Sequence, residues 1–92
     1  MAYMLVRHNV KDYDAWKSVF DSKLDLRKRY GEKSYQILRD EKSPNELVAL
    51  FGWDSLENAR RYATSAELKE AMAEAGVIAK PDISFLEQAA LG

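Results

Sequence analysis

Leu47-Val48-Ala49-Leu50-Phe51-Gly52-Trp53 is the stretch whose reading decides the fold. Successive residues of a strand point to opposite faces, so Leu47, Ala49, Phe51 and Trp53 line one side and Val48 and Leu50 the other. Both sides are apolar. A half-solvated strand would alternate apolar and polar residues, so this one belongs in the middle of a sheet that is covered on both faces.

Working upstream, Tyr3 to Val10 reads as the first strand, with Met4, Val6 and His8 in one phase and Leu5, Arg7 and Asn9 in the other. Its first half is also apolar on both faces, which makes it the second central strand. Asp12 is the expected N-cap of a helix, with Asp14 in its first turn, where a carboxylate suits the helix dipole. The spacing predicts one continuous helix ending at Tyr30, with Gly31 as its left-handed stop. At about 100° per residue, Trp16, Val19, Phe20, Leu24, Leu26 and Tyr30 share one arc, and Lys23 and Arg27 fall near its middle. Lys33 to Asp40 alternates cleanly, Tyr35, Ile37 and Arg39 against Ser34, Gln36, Leu38 and Asp40, as an edge strand does. Glu41 to Asn45 is the turn into the opening stretch.

Downstream, Asp54 or Ser55 caps a second helix with Leu56, Ala59, Tyr62 and Ala63 inward, and Thr64-Ser65 caps a third piece with Leu68, Ala71, Met72 and Ala75 inward. Gly76 ends that piece, Val77 to Pro81 connects it, and Asp82 to Gln88 forms a short last strand. The tail from Ala89 to Gly92 is expected to fray. The order is βαββαβ, an α+β ferredoxin-like plan: a four-stranded antiparallel sheet with central first and third strands and helices on one face. No segment remains to cover the other face, so something outside the chain is expected to cover it.

The totals agree with one domain spanning residues 1–92. Fourteen Lys and Arg against fifteen Asp and Glu give a net charge of −1 with the signs interspersed, which speaks against nucleic-acid and anionic-membrane partners. The absence of cysteine excludes disulfides, thiolate metal sites and a cysteine nucleophile, and one histidine disfavours a protein-only metal site. The apolar N-terminal run stops at Arg7, too short for a signal peptide core or a membrane span, so a cytosolic protein is expected.

Val6-Arg7-His8 followed by Asp12-Tyr13 and Trp16, Leu26-Arg27 and Gly31, Pro44-Asn45 before an apolar strand ending in Trp53-Asp54, then Ala59, Ser65-Ala66-Glu67-Leu68, Ala71-Met72, Gly76-Val77 and Pro81, together resemble the dimeric α+β barrel superfamily. Within it, the chain is most similar to the antibiotic-biosynthesis-monooxygenase-like group. The resemblance implies a homodimer joined through the open sheet faces and a small-molecule pocket between each sheet and its own helices. It also implies an activity range of cofactor-independent oxygenases, lactone isomerases and haem-degrading enzymes, so the fold leaves function open. The quinone-forming members use Asn, Trp and Tyr in that chain order, whereas Trp53 here precedes Asn58 and Tyr62, and the set does not map. Haem-degrading members ligate iron through a helix histidine, whereas His8 is on a strand. No cofactor and no metal are expected.

Two polar residues on apolar faces are the candidate catalytic groups. His8, with an ordinary pKa of about 6.5, suits a general acid or base in a pocket, or else a buried ring bonded to a backbone carbonyl or to Tyr13. Arg27 would offer its donor fork to a ligand carboxylate or phenolate, or else pair with a structural carboxylate or a carbonyl at the dimer seam. Tyr13, Trp16, Phe20, Phe51, Trp53 and Tyr62 are candidate aromatic lining or plain core, Lys23 accompanies Arg27, and Arg39 flanks either the cavity or a subunit contact. The expected ligand is a small aromatic or carboxylated metabolite.

Overall fold

The computed structural model describes residues 1–92. Strand β1 (Ala2–Asn9) leads to helices α1 (Tyr13–Ser22) and α2 (Leu24–Tyr30), strands β2 (Glu32–Arg39) and β3 (Glu46–Trp53), helices α3 (Leu56–Ala63) and α4 (Ala66–Glu74), and strand β4 (Asp82–Glu87). The sheet is antiparallel throughout in the order β2-β3-β1-β4, so the two strands with two apolar faces are the central ones.

Side-chain parity then divides the sheet. Met4, Val6, His8, Leu47, Ala49, Phe51 and Trp53 are buried beneath the helices, and together with Trp16, Phe20, Ala59 and Tyr62 they make the core. The opposite face carries three cross-strand rows set by the register: Leu38-Val48-Arg7-Asp82, Gln36-Leu50-Leu5-Ser84 and Ser34-Gly52-Tyr3-Leu86. Its apolar members are left incompletely covered, with Leu38 49% and Leu86 43% exposed.

Capping fixes where the helices begin. Asp12 accepts from Ala15 N–H at 2.9 Å, Ser55 from Asn58 N–H at 3.1 Å and Ser65 from Leu68 N–H at 3.1 Å, each satisfying one of the free amides of a first turn. Of the two residues offered for α3, the serine is the cap; Asp54 instead accepts from the Asn58 side-chain amide at 3.0 Å. Gly31 ends α2 with φ +119°, and an added Cβ would run into the Asp54 carboxylate, so the position demands glycine on both counts.

One expectation fails. The continuous helix from Asp12 to Tyr30 is two helices, broken at Lys23, whose φ of −100° and ψ of 9° leave the helical region. The Phe20 carbonyl accepts from Lys23 N–H at 3.2 Å, a tightened turn, and from Arg27 Nη1 at 2.7 Å. A side chain has entered the backbone ladder at the bend, one of the few physical causes of a sharp helix break.

Candidate functional site

Between the sheet and helices α1 to α4 lies a cavity of about 60 Å³, or about 520 Å³ when its open mouth is counted. Its floor is Met4, Val6 and His8 from β1 and Ala49 and Phe51 from β3; Trp16, Val19 and Phe20 form one wall, and Leu68, Ala71, Met72 and Ala75 the wall opposite. The polar contributors are His8, Lys23, Arg27 and Tyr62.

Arg27 lies on the inner side of α2 and is only 2% exposed. Its Nε donates to Glu32 Oε1 at 2.7 Å, its Nη1 to the Phe20 carbonyl, and its guanidinium carbon stacks 3.7 Å from the centre of the Phe20 ring. Nη2 is buried and has no partner. The structural-carboxylate role and a place among the cavity-lining residues therefore coexist in one side chain. Glu32 is as deeply buried as Arg27, and burial pushes its carboxyl above the usual carboxylate range while the adjacent Arg27 charge pulls the other way.

His8 is buried beside Trp16, ring centres 5.5 Å apart, and its Nδ1 has no partner, so the ring is not anchored through that nitrogen to a carbonyl or to Tyr13. Burial lowers its pKa below 6.5 and favours the neutral ring. Tyr62 stands against Trp53, and burial pushes its phenol up to about 12, so it stays a neutral hydrogen-bond donor across the physiological range. Lys23 sits at the rim, 3.3 Å from Glu74 of α4, a partly exposed pair of the kind that contributes about 0–1 kcal/mol.

Of the residues singled out from sequence, His8, Trp16, Phe20, Lys23, Arg27, Phe51 and Tyr62 converge on this cavity. Three do not. Trp53, 1% exposed, is packed in the core between Phe51 and Tyr62, and its Nε1 has no partner. Tyr13 and Arg39 stack on each other 4.0 Å apart, outside the cavity, with Arg39 Nε donating to the Pro44 carbonyl at 2.9 Å. Glu32 was not foreseen; a buried acid five residues beyond an arginine on an apolar arc is the signal that would have found it.

His8 also makes a pH prediction. Because its folded pKa is lowered, its contribution to stability is present above pH 6.5 and is lost as pH falls through the folded value. Glu32, with a raised pKa, acts in the opposite sense: its contribution is full below 4.5 and declines as pH rises. Melting temperatures of wild type and His8→Asn between pH 7.5 and 5 are expected to converge toward acid. A constant gap would show that the ring titrates alike in the folded and unfolded chain.

A four-stranded antiparallel sheet with helices on one face and an apolar cavity beneath them places the chain in the ferredoxin-like α+β class. No protein-family model matches the chain, and no curated protein matches it by sequence. Solved structures do match. SnoaB from Streptomyces nogalater, described as a cofactor-independent oxygenase, superposes with a TM-score of 0.78 at 16% identity over 98% of this chain and 94% of its own. A Bordetella bronchiseptica protein assigned as an antibiotic biosynthesis monooxygenase gives 0.80 at 13% identity over 97% of each chain, and one from Nitrosomonas europaea 0.74 at 15% over 98% and 100%. The chain thus has the fold of antibiotic-biosynthesis-monooxygenase domains. No group of three or more His, Cys, Asp or Glu side chains is placed to hold a metal ion, and no helix is long and apolar enough to cross a membrane.

Proposed function

We propose that this chain is a cytosolic, homodimeric small-molecule-binding protein whose cavity takes a small aromatic or carboxylated metabolite. One observation carries the reading: among the residues that line a mostly apolar cavity, Arg27 and His8 each keep a buried nitrogen without a partner. An unsatisfied buried polar group costs about 1–3 kcal/mol, and more when charged, so a ligand that brings an acceptor to Arg27 and a hydrogen-bonding partner of either sense to His8 would recover that cost twice.

At about 60 Å³ the cavity is well below the roughly 300–1,000 Å³ of drug-sized ligand sites, so an aromatic occupant requires a wall to move outward, and α4 is the wall we assign to that movement. That wall meets the cavity through two alanines beside Leu68 and Met72, and the Lys23–Glu74 pair at its rim is weak. In the catalytic form of the reading, neutral His8 moves a proton and Arg27 stabilises developing oxyanion charge, in proton transfer or a cofactor-free oxidation of the kind named for SnoaB.

A second reading, a binding or assembly module without turnover, is favoured by the two structural bonds of Arg27, to Glu32 and to the Phe20 carbonyl. Turnover that follows pH and disappears in His8→Ala supports catalysis; saturable affinity without product supports the module. Both forms share one test. Ala49→Val adds two methyl groups to the cavity floor on a strand that accepts β-branched residues. It is expected to leave the fold intact while weakening binding of small aromatic acids at least tenfold by calorimetry, and unchanged affinity would remove the cavity from consideration.

A further inference from the structure

We propose that Arg27 and Glu32 form a proton-linked carboxylate site: a ligand carboxylate docks on the free Nη2 edge of Arg27, and Glu32 takes up one proton from solvent as it binds. This rests on the cavity reading above and names its ligand chemistry.

The first ground is the donor count. A guanidinium presents five N–H groups in a planar fork suited to carboxylates. Here Nε is taken by one Glu32 oxygen and Nη1 by the Phe20 carbonyl, which leaves Nη2 as the buried unused end of a rigidly held group. Stacking on Phe20 fixes the plane of the fork.

The second ground is the charge count. Arg27 and Glu32 sum to zero, so a bound carboxylate would leave one net negative charge in an apolar enclosure, which is costly. Arginine cannot change its charge, so neutrality returns only if a neighbouring group, Glu32 or His8, takes a proton. The groups facing Glu32 are Arg27 and Lys28 from α2 and Tyr62 from α3, with Tyr30 and Glu67 beyond Tyr62; Trp53 is its cross-strand neighbour on β3. The cavity lining itself holds Lys23 and His8 but no carboxylate. Glu32 is therefore the one acid beside the Arg27 charge. Burial already displaces its carboxyl upward, the direction that proton uptake requires. As a neutral acid it still accepts from Arg27 Nε through its carbonyl oxygen, and no bond of the protein has to break.

The test uses the full chain with benzoate as probe and benzamide as its neutral counterpart, titrated by calorimetry from pH 6 to 8 in two buffers of different ionisation enthalpy. Benzoate is expected to bind with uptake of about one proton near pH 7 and to weaken about tenfold per pH unit above it, while benzamide binds at least tenfold more weakly and exchanges no proton. Glu32→Gln should bind benzoate with neither proton uptake nor pH slope, and His8→Gln should keep both. Zero uptake in the wild type, or uptake that survives in Glu32→Gln or vanishes in His8→Gln, overturns the inference. If Glu32→Gln does not fold, the wild type and His8→Gln decide between the two acceptors. Equal binding of benzamide would sink the carboxylate site and spare the cavity; failure of both probes would sink the two together.

Discussion

Glu32→Ala is expected to lower the folding free energy by about 3–5 kcal/mol, because it strands a guanidinium that is 2% exposed without its partner. For a domain of this size that is a large part of a total of roughly 5–15 kcal/mol, and it corresponds to a fall in Tm of about 12 °C or more. The reciprocal change should be milder. Arg27→Met leaves a buried carboxyl whose pKa is already pushed up and which can neutralise itself by protonation, an escape that arginine lacks. Urea denaturation at pH 5 and pH 8 separates the two: the cost of Arg27→Met rises with pH, and that of Glu32→Ala does not. The double variant Arg27→Met/Glu32→Leu, apolar throughout, is expected to recover most of the loss. Equal costs for the two single variants at every pH would mean that water reaches the pair.

Much of the fold was legible because a period of two residues is a strong signal where both phases are apolar. Leu47 to Trp53 and Tyr3 to Val6 carry that signal, and they are the central strands. Gly31 was legible as local chemistry, a left-handed stop, and the cap of α3 was legible only as one of two neighbours, Asp54 or Ser55, of which the serine is the cap. The break at Lys23 was not, since nothing in its own residues forces it; Arg27 takes the Phe20 carbonyl from a turn away. Glu32 was hidden for a related reason, because a charged residue just after a glycine stop reads as a solvated strand end until its partner is seen behind it. The aromatic residues divided along a line that periodicity does not contain. Phe51 and Trp53 share one face of one strand, yet only Phe51 reaches the cavity, because Tyr62 packs over the Trp53 end of that face.

Leu50→Lys is expected to turn a dimer into a monomer. Leu50 and Leu5 are cross-strand partners at the centre of the open sheet face, with Gln36 and Ser84 completing their row, Leu38, Val48, Arg7 and Asp82 in the row on one side and Ser34, Gly52, Tyr3 and Leu86 in the row on the other. A largely apolar face interspersed with polar residues suits a two-fold contact between copies, in which each substitution counts twice. Burying a leucine is worth about 1.5–3 kcal/mol, so losing two weakens association by about 3–6 kcal/mol, a factor of about 10² to 10⁴ in Kd. Because Leu50 lies on the side of the sheet away from the helical core, the isolated subunit should keep its stability. Sedimentation equilibrium at micromolar concentration checks both halves: wild type as a dimer, Leu50→Lys as a monomer, and exposed Lys69→Glu on α4 as a dimer. A monomeric wild type would mean that the open face is wetted and that no barrel forms. The cavity, however, lies under the helices of a single subunit. The monomeric variant should therefore still bind benzoate, and loss of binding on dissociation would show that the partner completes the site.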